Sequence, residues 1–452
     1  MAREFLARDW GAIFARRSPE IATRSVAEHD SPRKLRQRGM PAAGMANEAG
    51  GICPQASAPA PESLDARMAS LSSYLKRIGS AMLSRFEDRA PNVAGESTAA
   101  RGPIHIAPVL AGGHDAAALS AGQPGHASGI RRAIEAGVAF LESAQLPSGE
   151  IPIEISPNPE MSGACAREPV VFPAALAARV LSAAAPAWRV RARALDFLVR
   201  EMAPEGLWRH PSSDKPQHYD TPFDVDDTSL ASAAFAAAGR TVPDNRHVLI
   251  DNREPDGLFR TWIVRWNPHP LLTRRFFRHT AETRDVDAVV MANVVYYLGA
   301  CEETRPAIEH MLEVLRTGRE MRSTIWYGSR FTVWYFFSHA LRRIAPEAGH
   351  MIVPRVEDAV PTNALELALA TSTLQIWDRT PDVRPLLETQ LPSGAWQRAG
   401  FYHMGQRRNE PRPNPPWWGS EALTTVFAVE ALSRRLSGED RAIDLNTIRC
   451  SP

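Results

Sequence analysis

Read for hydrophobic and polar positions, this 452-residue chain alternates from Gly129 onward between two kinds of segment. Six segments open on a polar or carboxylate residue and continue as apolar or small-residue runs of helical period with little interior charge: residues 172–185, 226–238, 287–300, 330–343, 362–377 and 420–435. Low charge all round is what a helix buried on nearly every side requires. Between them lie segments apolar on one face only: residues 131–145, 188–202, a short one near Asn245, 306–316, one near Glu347, and 382–390. Six buried helices alternating with six half-exposed ones predict an all-α fold, a single (α/α)6 toroid. Its inner helices run parallel and gather their N-termini at one mouth.

The turns repeat as well. Gln145-Leu146-Pro147-Ser148-Gly149 is echoed by Gln390-Leu391-Pro392-Ser393-Gly394, followed by Trp396, and residues 197–208 and 256–259 are looser copies. Gly stops a helix and the following aromatic packs the turn, so these read as scaffold. Residues 1–125 read as an N-terminal extension, with one amphipathic helix over 64–86 and a Gly-, Ala-, Pro- and His-dense stretch over 90–128. The toroid takes residues 126–440, and 441–452 form a tail.

Composition narrows the function classes. A net charge of +1 argues against a nucleic-acid partner. Cys53, Cys165, Cys301 and Cys450 are far apart, with no zinc-site spacing, which points to reduced thiols, a cytoplasmic setting and no metal site. No apolar run reaches the roughly 18 residues of a membrane span, although peripheral contact with a membrane stays open.

The chemistry concentrates at Asp224-Val225-Asp226-Asp227-Thr228-Ser229, at the start of the second buried segment. One Asp there would cap the helix and meet the positive end of its dipole. Three crowded carboxylates exceed that need, and like charges in close company raise the pKa of one member until it holds a proton at neutral pH. Asp226 is the candidate acid, with Asp224 and Asp227 around it.

Asp-x-Asp-Asp-Thr ahead of an inner helix, together with Gln-x-x-x-Gly-x-Trp turns, resembles the squalene-hopene cyclase and class II terpene cyclase superfamily, the prenyltransferase and squalene oxidase repeat proteins. The resemblance covers about residues 129–436; Ser229 replaces the Ala that ends the family's acidic signature, and Gln390, Gly394 and Trp396 match its QW motif best. It implies a protonation-initiated cyclisation of a linear isoprenoid. Asp226 would be the general acid, held by Asp224 and Asp227, and Mg²⁺ would enter only with a diphosphate substrate.

Around that acid the starts of the other buried segments supply a candidate substrate pocket. It comprises Thr228, Asp285, Asp287, Asn293, Tyr327, Arg330, Asn363 and Glu421, with Trp262, Trp266, Tyr402, Trp417 and Trp418 as aromatic faces for a cation. Arg253, Arg260, Arg274, Arg275 and Arg278 fall in the loop before the third buried segment, as solvated residues or as a diphosphate hold. Two other readings stay open: a carbohydrate-active hydrolase or lyase on the same toroid using Asp226 and Asp287, and a non-catalytic isoprenoid-binding toroid. A homodimer or a second barrel subunit also stays open as partner.

Overall fold

A computed structural model describes residues 124–219, 221–264, 285–404 and 415–449, with side chains described between residues 127 and 437. The predicted helix at 64–86, the 90–123 stretch, Cys53, Cys450, Trp266, Arg274, Arg275 and Arg278 lie outside the described residues.

Among the described residues twelve helices alternate as the pattern requires, with one further short helix, Glu320–Ser323, between the seventh and the eighth. The outer ones are α1 (Pro124–Ala144), α3 (Trp188–Glu201), α5 (Arg246–Asp251), α7 (Arg305–Thr317), α9 (Ala348–Asp358) and α11 (Arg384–Glu388). The inner ones are α2 (Phe172–Val180), α4 (Val225–Ala237), α6 (Ala288–Leu298), α8 (Arg330–Leu341), α10 (Ala364–Ile376) and α12 (Glu421–Arg449). Each inner helix packs on the next, α2 on α4 through to α12, and α12 returns to α2, closing the ring. The last helix continues beyond residue 440, the limit drawn from the sequence.

The burial difference follows the sequence. All of α2 (FPAALAARV) is buried, and α4 (VDDTSLASAAFAA) is buried from Val225 to Phe235. Its Ala and Ser side chains let neighbouring helices approach closely. Outer α3 instead buries one stripe, Val190, Ala194, Leu195, Phe197 and Leu198, at the spacing of a single helical face.

The repeated turns staple neighbouring outer helices. Gln145 Nε2 donates to Gly149 O at 2.8 Å and to Val190 O on α3 at 3.1 Å. Gln390 Nε2 makes the equivalent bonds to Gly394 O and to Ala133 O on α1, both at 2.9 Å. Gly149 (φ +85°) and Gly394 (φ +86°) adopt a conformation that L side chains avoid. A Cβ at Gly394 would also sit 2.4 Å from Ala136 O, so both backbone and space exclude one. Trp396 is fully buried and donates Nε1–H to Leu386 O, and Trp208 does the same to Leu198 O in the looser copy.

Short strands lie at the inner-helix starts. β3 (Phe223–Asp224) pairs with β4 (Trp262–Ile263). β1 (Glu154–Ser156), β2 (Ala166–Arg167), β5 (Gly400–His403) and β6 (Trp417–Gly419) form a sheet of order β2-β1-β6-β5. Among the described residues no helix is long and apolar enough to cross a membrane, and Cys165 and Cys301 are free thiols.

Candidate active site

The chain turns into α4 through β3, and this sets the roles of the three acids. Asp224 is the cap: its Oδ1 accepts from Asp226 N at 2.7 Å and Asp227 N at 3.2 Å. That occupies one carboxylate on the helix start and frees the other two.

Asp226 points into the ring. Its Oδ1 accepts from Asn293 Nδ2, on α6, at 2.6 Å, and its Oδ2 accepts from the hydroxyl of Tyr327, just ahead of α8. Asp226 is 5% exposed, and burial outweighs both hydrogen bonds, which favour the carboxylate. With Asp227 and Asp287 adding like charge, its pKa rises from the ordinary 3.8 to about 7. Burial likewise raises Asp224, Asp227 and Asp287. Helix N-termini converging on this mouth favour ionised carboxylates; exclusion of water is what keeps a proton on Asp226.

Asp227 has a different partner, with Oδ2 at 3.1 Å from His210 Nδ1. His210 Nε2 lies 3.1 Å from the Tyr402 hydroxyl. Burial lowers the imidazole pKa, so the ring is neutral, and the consistent assignment is Tyr402 O–H to Nε2 and Nδ1–H to Asp227. His210 stands in the loop between α3 and β3 and was not found from the sequence, where a lone His carries no spacing signal. His210, Asp224 and Asp227 also offer ligand atoms within 4.8 Å of one another, the one grouping among the described residues able to hold a metal.

The inner-helix starts place an aromatic group beside the acid. Phe172, at the head of α2, lies 6.4 Å from Tyr327, 6.2 Å from Phe401 and 5.4 Å from Tyr402, centroid to centroid. Tyr327 lies 6.0 Å from Phe336 and 5.7 Å from Phe401, and Trp418 stacks on Tyr402 at 5.3 Å. Phe172, Phe336 and Phe401 were not singled out from the sequence, because an isolated Phe in a buried segment is indistinguishable from core.

The remaining predicted residues divide. Thr228 is buried and accepts from Trp208 N, tying the helix start to a repeat turn. Trp262 pairs with Asp224 in the β3–β4 ladder and packs on Trp326. Trp417 packs on His403, and its ring fills the space a Cβ at Gly328 would need. Asp285 is 6% exposed, and burial, opposed in part by the Thr261 hydroxyl and the Trp326 indole beside it, holds it at about 7.

Four other predicted residues have engagements of their own. Asp287 is no free acid facing Asp226: Oδ1 caps α6 at Val289 N and Val290 N, and Oδ2 accepts from Thr324 Oγ1, Ile325 N and Trp326 N. Asn363 is the cap of α10, bonded to Glu366 N at 3.0 Å. Arg330 is exposed and lines a separate cavity with Arg319, Arg322 and Arg355. Glu421 opens α12 with no hydrogen bond to the acid cluster among the described residues. In the loop before α6, Arg260 pairs with Glu254 and Arg253 donates to Ile250 O and Glu303 O, so both serve the loop.

No protein-family model matches the chain. A drimenol cyclase of Aspergillus calidoustus is 23% identical over 224 residues, 47% of this chain; the match spans only 38% of that cyclase. Among solved structures, a variant of the type II terpene cyclase MstE from Scytonema, in complex with its substrate geranylgeranyl dihydroxybenzoate, superposes with a TM-score of 0.51 at 17% identity. That match takes in 69% of this chain and 98% of the cyclase. A second MstE variant, holding the product merosterolic acid A, matches with the same score, and an Actinoplanes protein with 0.52 over 68% of this chain and 99% of its own. The toroid is therefore the fold of the type II terpene cyclases, the family that the acidic and Gln-Trp motifs resemble, and the match extends over almost the whole of a solved one.

Proposed function

We propose that the protein is a class II terpene cyclase, in which Asp226 protonates the terminal double bond of a linear isoprenoid and so starts cyclisation. The observation that carries this is the state of Asp226: buried, held at about 7, and aimed by Tyr327 and Asn293 beside a group of aromatic rings. An alkene is a very weak base, so the acid must be neutral, dry and oriented. The proton leaves the Asp226 oxygen, a C–H bond forms at the terminal alkene carbon, and the positive charge passes to the adjacent carbon. Attack by the next double bond closes a ring and carries the charge onward, and loss of a proton from a carbon next to the final cation gives the neutral product and balances the proton that Asp226 supplied. Phe172, Tyr327, Phe336 and Phe401 offer π faces to the moving charge without offering it a nucleophile, apart from the Tyr327 hydroxyl, which is engaged by Asp226.

Proton transfer from a carboxylic acid requires no metal, and Mg²⁺ would accompany only a diphosphate substrate. The hydrolase reading is disfavoured by Asp287, whose two oxygens receive five hydrogen bonds and are not free to act as a base. The test is incubation of purified protein with squalene, C15 and C20 prenyl diphosphates and geranylgeranyl dihydroxybenzoate, followed by mass spectrometry of the extracts with drimenol as one standard. A cyclic product that disappears in Asp226→Asn supports the proposal. No new product from any of the four, or product formation unchanged in that variant, refutes it.

A further inference from the structure

On the outer wall, where α7 and α9 end and α8 begins, lies a cavity of about 480 Å³ that the acid site does not use. Its lining carries four arginines, Arg319, Arg322, Arg330 and Arg355. Two carboxylates oppose them. Glu320 is buried, accepts from the Trp334 indole at 3.1 Å and lies 3.5 Å from Arg355, so that pair is internally satisfied. Asp358 remains against three exposed arginines, Arg319, Arg322 and Arg330, none with an ion-pair partner among the described residues. The opening turn of α8, to which Arg330 belongs, adds its positive dipole end, although Ser329 already caps it at Phe331 N. Planar guanidinium forks at a concave site match pairs of oxygens on a phosphate group.

A second observation selects the source of that phosphate. Six large apolar side chains are conspicuously exposed among the described residues, and two of them border this cavity: Met321, in its lining, at 43% and Val360, next to the lining residue Ala359, at 53%. Apolar side chains standing beside unpaired arginines suit a bilayer interface, where the first enter the headgroup layer and the second meet anionic lipid. We infer that this face docks on an anionic membrane, with a phospholipid phosphate seated among Arg319, Arg322 and Arg330.

The location gives the contact a purpose. The chain that leaves the cavity wall after Arg322 supplies Thr324, Ile325 and Trp326 to Asp287 and Tyr327 to Asp226, then returns to the wall at Arg330. A docked lipid would hold both ends of the segment that positions the acid. It would also bring the mouth to the phase in which an isoprenoid dissolves. That purpose rests on the proposed cyclase function, whereas docking itself is measured without turnover, so the two fail separately.

The test is co-sedimentation of the full chain with vesicles of phosphatidylcholine alone and vesicles containing phosphatidylglycerol. The wild type is expected to pellet with the second and not the first, and to be released by salt. Arg319→Ala/Arg322→Ala/Arg330→Ala should lower partitioning roughly 100-fold, about fivefold per arginine, the equivalent of ~1 kcal/mol each. These side chains are exposed, and circular dichroism checks that the fold is kept. A charge-matched control, Arg132→Ala/Arg189→Ala/Arg200→Ala on α1 and α3, should bind as the wild type does, and Met321→Ser/Val360→Ser should weaken binding without removing its salt dependence. The inference is overturned if the wild type ignores phosphatidylglycerol, if the triple variant still binds, if the control loses as much, or if inorganic phosphate at millimolar concentration displaces the vesicles.

Discussion

The hydroxyl of Tyr327 donates to Oδ2 of Asp226 across 101 positions of sequence, joining the start of α8 to the start of α4. The bond favours the carboxylate and so restrains the rise in pKa that burial imposes. Tyr327→Phe removes that restraint. Its pH–rate profile should keep the protonated form to higher pH, with the basic limb moved upward from about 7. An acid of higher pKa, no longer aimed, should be slower by roughly 10- to 100-fold in kcat. A profile with its basic limb unmoved would show that the bond does not tune the acid.

Asp226 also couples stability to pH. Its folded pKa of about 7 exceeds the ordinary 3.8, so the folded chain binds more protons than the unfolded chain between those values. Stability therefore falls as pH rises through that window, on the order of 1.4 kcal/mol per unit for this group, and the loss is complete above it. Asp226→Asn abolishes the ionisation. Asn293 Oδ1 is buried without a partner, so the Asn293 amide can turn over and accept from the new amide. The variant is expected to make no product and to melt higher than the wild type at about pH 8, with the difference vanishing near pH 4. Thermal melts at both pH values decide it.

His210 links Asp227 to Tyr402, and Asp227 Oδ1 already lacks a partner. His210→Ala leaves both oxygens of a fully buried acid unpaired, a cost of about 1–3 kcal/mol. The expected signature is a lowered urea midpoint with an unchanged m-value. His210→Asn, which can still donate to Asp227, should recover part of it.

Turn geometry gives a test that leaves the acids untouched. At Gly394 an added Cβ meets both a positive φ and Ala136 O at 2.4 Å, so Gly394→Ala should cost more than ~2 kcal/mol. Gln390→Ala loses two hydrogen bonds, one of them to α1, at about 1–3 kcal/mol. The two share one turn, so the double variant should cost less than the sum of the single ones. Denaturant titration of the three variants measures this.

The architecture was legible because its signal is long-range and repetitive. Six low-charge runs and six one-faced ones each fall on one of the alternating helices, although the first helix starts earlier, at Pro124, and the last runs on to Arg449, and the Gln and Gly positions of the turns are where the staples form. The acidic cluster was equally visible, but its division of labour was not. Nothing in Asp224, Asp226 and Asp227 as residue types says which one meets the helix amides and which faces Tyr327. The same limit applies to Asp287 and Asn363, since a cap and a site residue occupy the same position at a helix start and differ only in what reaches them from elsewhere. For Arg330 the limit is rotational: the first turn of an inner helix has an exposed side, and the sequence does not mark it.

The staple between Gln390 and Ala133 closes the ring with residues more than half the chain apart. During synthesis the seam between α1 and α12 can form only after the final helix has emerged, and until then the apolar flanks of α2 and α10 that α12 covers stand open. The nascent protein is thus an incomplete annulus for most of its translation, vulnerable to self-association at two unsealed edges, and its safe passage depends on how quickly the last blade arrives to lock the first.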